Sequence, residues 1–200
     1  MKRVIFLMSL MLMSLGVRAV DGFPDPFGLT WGMSEASLVK LGFARSSSDS
    51  GPLHVLTSKI APKPWSQAET YVAVTYNDRL VKVVALSRSF SADIMGSEGK
   101  AAYEKINNVL TNKYGQPAKH MEEIGLKLYT EYDEFYQCLK YAGCGAYFTS
   151  YNISGGIIGV NLEGESRGVG YLKVTYESPA FAIALMEIKH KVSGSDAEAF

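Results

Sequence analysis

A chain of 200 residues with 47% hydrophobic and 20% charged side chains is long enough to bury a core unaided and too apolar for a disordered binder. Twenty basic residues balance twenty acidic ones and no long block of either sign occurs. That excludes the clustered positive charge on which nucleic acid and anionic membrane surfaces depend.

The chain opens with an address. Lys2 and Arg3 precede an apolar run from Val4 to Val17, and Val17-Arg18-Ala19 supplies small residues for cleavage. The run is too short to span a bilayer and no stop-transfer pattern follows. Residues 1–19 therefore read as a secretory signal peptide, with no cysteine at the cleavage site to carry a lipid. The mature protein is expected in the periplasm or secreted, without a membrane span, in a compartment where thiols oxidise. Loss of Lys2, Arg3 and Arg18 leaves it with three more acids than bases.

Phe23-Pro24-Asp25-Pro26-Phe27 is expected to run extended, because a residue before proline is pushed out of the helical region. Ser34 is placed to cap a short helix to Leu41, which Gly42 stops. Strands are expected at Leu53 to Ile60, Thr70 to Tyr76 and Leu80 to Phe90, the last two joined by an Asn77-Asp78 hairpin turn. Ser97 to Tyr114 carries Ala102, Ile106, Val109, Leu110 and Tyr114 at helical spacing, and Gly115 and Pro117 end it. A second helix is expected over Thr130 to Tyr141. Strands follow at Cys144 to Tyr151, Ile157 to Leu162 and Gly170 to Tyr176, then a helix from Pro179 to about Lys191.

This order predicts an α+β fold, with antiparallel meanders packed against helices. It permits two helix-β-β-β-helix halves, joined in one sheet or side by side. Residues 20–192 form the single α+β domain and 193–200 a flexible tail.

Cys138 and Cys144 are the only cysteines, and in an oxidising compartment they are expected to form a disulfide. The spacing does not fit a Cys-x-x-Cys redox motif, and no second pair exists to hold zinc. Gly164-Glu165-Ser166-Arg167-Gly168 matches the nucleophile-elbow pattern in letters, but a strand follows where that motif needs a helix. His54, His120 and His190 fall on different expected elements. His120-Met121-Glu122-Glu123 offers a nitrogen and two carboxylates, yet sequence neighbours rarely converge on one ion. Glu131, Asp133 and Glu134 could supply the carboxylate pair of a glycosidase only at a defined separation across a cleft. No catalytic, metal-binding or cofactor-binding residue is assigned.

Aromatic residues crowd around the cysteines. Tyr132, Tyr136, Tyr141, Tyr147 and Tyr151 are the candidate partner-binding residues, because tyrosine offers a large contact area, few torsions and a polar tip. Core packing of a sheet is the competing account. Asn152-Ile153-Ser154 is a glycosylation sequon, relevant only in a host that uses it.

Phe27-Gly28-Leu29-Thr30-Trp31-Gly32-Met33-Ser34, with Leu38 and Leu41-Gly42, resembles the opening of a group of small exported bacterial proteins of uncharacterised function. Asp78-Arg79-Leu80-Val81, Lys113-Tyr114-Gly115-Gln116-Pro117 and Gly143-Cys144-Gly145-Ala146-Tyr147 are similar to later parts of that group. Gly32, Met33, Ser34, Leu38 and Gly42 also resemble the opener of the β-lactamase-inhibitor-protein and outer-membrane-assembly (BamE-type) folds. That resemblance implies a helix-covered sheet used for protein binding and brings no catalytic residue. The expected function is a secreted or periplasmic, non-catalytic protein-binding module: an envelope component, or an inhibitor or immunity-type protein. The alternatives are a cell-wall or glycan hydrolase using acidic residues, and a carrier of a small apolar ligand.

Overall fold

The computed structural model describes residues 22–46 and 51–198. The expected signal peptide lies outside these residues. Along the chain come α1 (Glu35–Lys40), β1 (Ala44–Arg45), β2 (Leu53–Ser58), β3 (Ala68–Tyr76), β4 (Arg79–Ser87) and α2 (Ser97–Tyr114). Then follow β5 (Lys119–Glu123), α3 (Phe135–Lys140), β6 (Ala146–Ile153), β7 (Gly156–Ser166), β8 (Val169–Glu177) and α4 (Pro179–Glu198). The fold is mixed α and β, with sheet predominating.

All eight strands join in one antiparallel sheet, in the order β1-β2-β3-β4-β8-β7-β6-β5. Two four-stranded meanders thus meet at β4 and β8, where Val83 lies opposite Tyr176 and Ala85 opposite Val174. Each half holds four strands rather than three: α3-β6-β7-β8-α4 keeps the helix-β-β-β-helix order with β5 added before it, and the two-residue β1 adds a strand between α1 and β2. Along most of β3, β4 and β8 alternate residues are buried, because side chains alternate between the two faces of the sheet. Tyr71, Ala73, Val83, Ala85, Val160 and Val174 point to the face where the core lies. Their neighbours Val72, Val74, Val84, Leu86 and Tyr171 point the other way and are only half-buried.

Asn77 and Asp78 both take positive φ, 50° and 58°, which lets the β3–β4 hairpin turn in two residues. Ser34 caps α1 by accepting the Ser37 N–H, and Leu38 enters a core cluster with Leu29, Phe43, Leu56 and Tyr71. α2 contributes Ala102, Tyr103 and Leu110 to a second cluster, which holds Ile158, Val160 and Leu172 of the sheet. Gly115, at φ 89°, ends that helix. Phe27 joins the two clusters through edge-on contacts with Tyr71 at 5.2 Å and Tyr176 at 5.6 Å.

Several expected bounds move. α3 is six residues, not the whole of Thr130 to Tyr141. Phe90 makes an isolated bridge to Gly170 instead of ending β4. α4 continues to Glu198, so the segment from Ser193 to that residue is helical where a loose tail was expected.

Candidate functional site

One candidate surface surrounds the loop between β5 and α3. Ile124-Gly125-Leu126-Lys127-Leu128 leaves the sheet edge and is tied down from below. The Leu126 N–H donates to the Cys144 carbonyl at 2.8 Å, and the Gly125 N–H lies 3.2 Å from the Cys138 sulfur. Cys138 and Cys144 are joined in a disulfide with their Cα atoms 5.2 Å apart. Gly145 allows the close approach, since a Cβ there would overlap the Glu123 carbonyl oxygen.

With its backbone held, the loop turns apolar side chains outward. Leu126 is 60% exposed and Leu128 48%. Tyr132 at 71% and Tyr141 at 48% are exposed on either side of α3 in sequence, and the Tyr129 and Tyr141 rings meet edge-on at 6.1 Å. The stretch from Met121 to Tyr136 holds Glu122, Glu123, Glu131, Asp133 and Glu134 against Lys127 alone. The Arg167 guanidinium pairs with Asp133. The result is a set of exposed apolar side chains in an acid-rich stretch of chain, on a loop tied to the disulfide.

The five tyrosines named from sequence separate here. Tyr132 and Tyr141 are exposed. Tyr136 and Tyr151 are 0% and 1% exposed and belong to the core, so a partner cannot reach them. Tyr147 is half-buried and packs on that core, with its ring 5.2 Å from Phe135. Sequence reasoning missed Ile124, Leu126 and Leu128. Their signal was an apolar alternation placed between Gly125 and the turn at Tyr129, where φ is 56°.

Two polar clusters have the composition of a hydrolase triad. On β5 and β6, Glu122 lies 3.2 Å from His120 Nε2, while His120 Nδ1 lies 2.9 Å from the Thr149 hydroxyl. That hydroxyl also meets Tyr103 Oη at 2.6 Å. On β2 and β3, His54 Nδ1 lies 2.5 Å from Glu35, and the Thr75 hydroxyl donates to the same carboxylate oxygen at 2.8 Å. Burial raises the Glu35 pKa, but the His54 and Thr75 hydrogen bonds and the His54 and Arg45 charges more than offset this and hold it below the usual range. Thr149 and Thr75 are both buried, so neither hydroxyl is open to attack a substrate.

Ser166 ends β7, and β8 begins at Val169, so the Gly164 to Gly168 segment is strand, turn, strand. Other acids are engaged: Glu163 pairs with Lys173 and Glu177 with Lys82. Among the described residues, no three His, Cys, Asp or Glu side chains converge as a metal would require. No described helix is long and apolar enough to cross a membrane. No protein-family model matches the chain, and no curated protein or solved structure is significantly similar to it.

Proposed function

We propose that the protein is an exported, non-catalytic protein-binding module, released into the periplasm or beyond by removal of residues 1–19. It engages its partner through Leu126, Leu128, Tyr132 and Tyr141. The observation that carries this is the exposure of these side chains, with Leu126 and Leu128 on a loop whose backbone is tied to the disulfide. Contiguous exposed apolar side chains mark interaction sites, and a preordered loop loses little entropy when it binds. Two of the four are tyrosines, a residue type enriched where binding energy concentrates. The likeness of the Gly32-Met33-Ser34 opener to protein-binding families supports the same reading.

The hydrolase alternative has less support. Its acids are paired or spread over the surface, and its candidate hydroxyls are sealed in the core.

The test is affinity capture with the mature, oxidised protein from envelope and secreted fractions, read by mass spectrometry beside a Leu126→Glu, Tyr132→Ala variant. The expected outcome is one stoichiometric protein held by the parent and lost by a variant that melts like the parent. A partner held equally by both moves the site elsewhere, and capture of nothing overturns the binding role.

A further inference from the structure

A cleft apart from that loop has the composition of a ligand site. It holds about 720 Å³ at the end of the sheet, between the β3–β4 turn, the first turns of α4 and the N-terminal aromatics. That volume lies within the range of about 300–1,000 Å³ typical of small-molecule sites. Its walls are apolar: Phe23 and Trp31 on one side, Leu80 and Val81 below, Ile183 and Ala184 on α4.

Most polar groups along these walls are satisfied within the protein. Trp31 Nε1 donates to the Pro24 carbonyl at 3.0 Å, and Ser178 Oγ donates to the Val81 carbonyl at 2.8 Å. Two charges remain at the rim. Arg79 is exposed and has no ion-pair partner among the described residues. Glu187 accepts the Tyr76 hydroxyl at 2.8 Å and meets no cation among the described residues. That hydrogen bond, with burial, raises the Tyr76 pKa, so the phenol stays protonated and holds the carboxylate in place.

The geometry points to a site for a single-chain zwitterionic amphiphile of the lysophospholipid class, with its chain along the apolar walls, its phosphate on Arg79 and its ammonium on Glu187. An anionic amphiphile leaves Glu187 unmatched and brings a second negative charge towards it. A non-ionic one leaves both rim charges unmatched. A zwitterion answers both, and the apolar volume demands a chain behind the headgroup. Ile183 is 53% exposed, so the apolar wall continues past the rim for a longer chain. This site is independent of the Leu126 loop.

The test titrates the mature protein, below micellar concentrations, with dodecylphosphocholine, dodecyl sulfate, dodecyl maltoside and inorganic phosphate, read by calorimetry. The zwitterion is expected to bind about tenfold or more tighter than either other amphiphile, which is the scale of one good ionic contact. Arg79→Gln should shrink its advantage over the maltoside to what the Glu187 contact alone supplies. Glu187→Gln should let dodecyl sulfate bind as well as the zwitterion. Ile183→Glu should weaken all three amphiphiles. Equal binding of the three headgroups, binding untouched by Ile183→Glu, or no binding overturns the proposal. Phosphate binding as tightly as the amphiphile assigns the cleft to a free anion and also overturns it. All three substituted side chains are exposed, and matching melting curves certify the variants.

Discussion

The Tyr136 hydroxyl donates to the Asp93 carboxylate across 2.8 Å and so ties α3 to the start of α2. The same carboxylate oxygen accepts the Gly99 N–H at 2.9 Å, within the first turn of α2. Tyr136 reaches this point through a socket of glycines. A Cβ at Gly99 would overlap its hydroxyl, one at Gly170 its ring, and one at Gly164 its backbone carbonyl. Burial and the Asp93 hydrogen bond both raise the pKa of this phenol, so it is a donor at neutral pH.

Tyr136→Phe should cost about 2 kcal/mol, the value of a hydrogen bond to a charged group. Gly99→Ala should cost about 3 kcal/mol, because the new methyl meets the hydroxyl. The double variant should cost less than the sum, since the phenylalanine ring lacks the blocking oxygen. After that oxygen, the nearest atom to the new Cβ is Leu162 Cδ1 at 3.0 Å, at the end of a flexible side chain. Denaturant midpoints of the four proteins measure this, and strict additivity would contradict the socket.

Asp93 and Glu35 give the fold stability that acid removes. Burial raises both carboxyls. At Asp93 the N–H groups of Gly99, Glu98 and Ser97 and the Tyr136 hydroxyl more than reverse this. At Glu35 the His54 and Thr75 hydrogen bonds do so, with the His54 and Arg45 charges. Both pKa values end below the ordinary 3.8 and 4.5. As pH falls through this window, the unfolded chain takes up protons that the folded chain still refuses. Their stabilisation is therefore complete above about pH 5 and is lost towards lower pH. A melting series against pH should show this fall, and Asp93→Asn should be less stable at neutral pH but fall less steeply in acid. An unchanged slope would place the acid sensitivity elsewhere.

The Cys138–Cys144 bond closes a loop with a sequence separation of 6. A loop that short gives about 2 kcal/mol in the chain-entropy account. Replacing both residues by serine should cost roughly that much, with the sheet intact. The Leu126 amide should then exchange faster, because its acceptor is the Cys144 carbonyl. Hydrogen exchange at Leu126 that ignores the substitution would show that the loop is held by other contacts.

What sequence revealed and what it hid follow from how each element is stabilised. α2 was legible because Ala102, Ile106 and Leu110 fall at helical spacing and ordinary stop signals follow. The Asn77-Asp78 turn was legible because few residue pairs tolerate two positive φ angles. β5 was not, since Lys119-His120-Met121-Glu122-Glu123 is an exposed edge strand and shows no apolar alternation. α3 was overextended because Tyr132 shares the helical spacing of Phe135, Tyr136 and Leu139, yet points to solvent. The same ambiguity mixed buried and exposed tyrosines in the candidate site. The pairing of β4 with β8 depends on strands distant in sequence, and no local pattern encodes it.

Asp78 links the hairpin to the helix it touches, and its three simplest replacements separate its two roles. Its φ of 58° is left-handed, and its side chain accepts the Glu35 N–H at 2.8 Å, satisfying a free donor in the first turn of α1. Asn keeps the acceptor and tolerates the left-handed backbone. Gly keeps only the backbone freedom, and Ala keeps neither. Stability should therefore rank the parent and Asp78→Asn together, then Asp78→Gly, then Asp78→Ala. The gap between Gly and Ala should be about 1 kcal/mol, the cost of a left-handed residue bearing a Cβ. The gap between Asn and Gly should also be about 1 kcal/mol, the value of a helix-start hydrogen bond. Chemical denaturation orders the four proteins, and an alanine variant as stable as the glycine one would show that the turn relaxes out of its left-handed form.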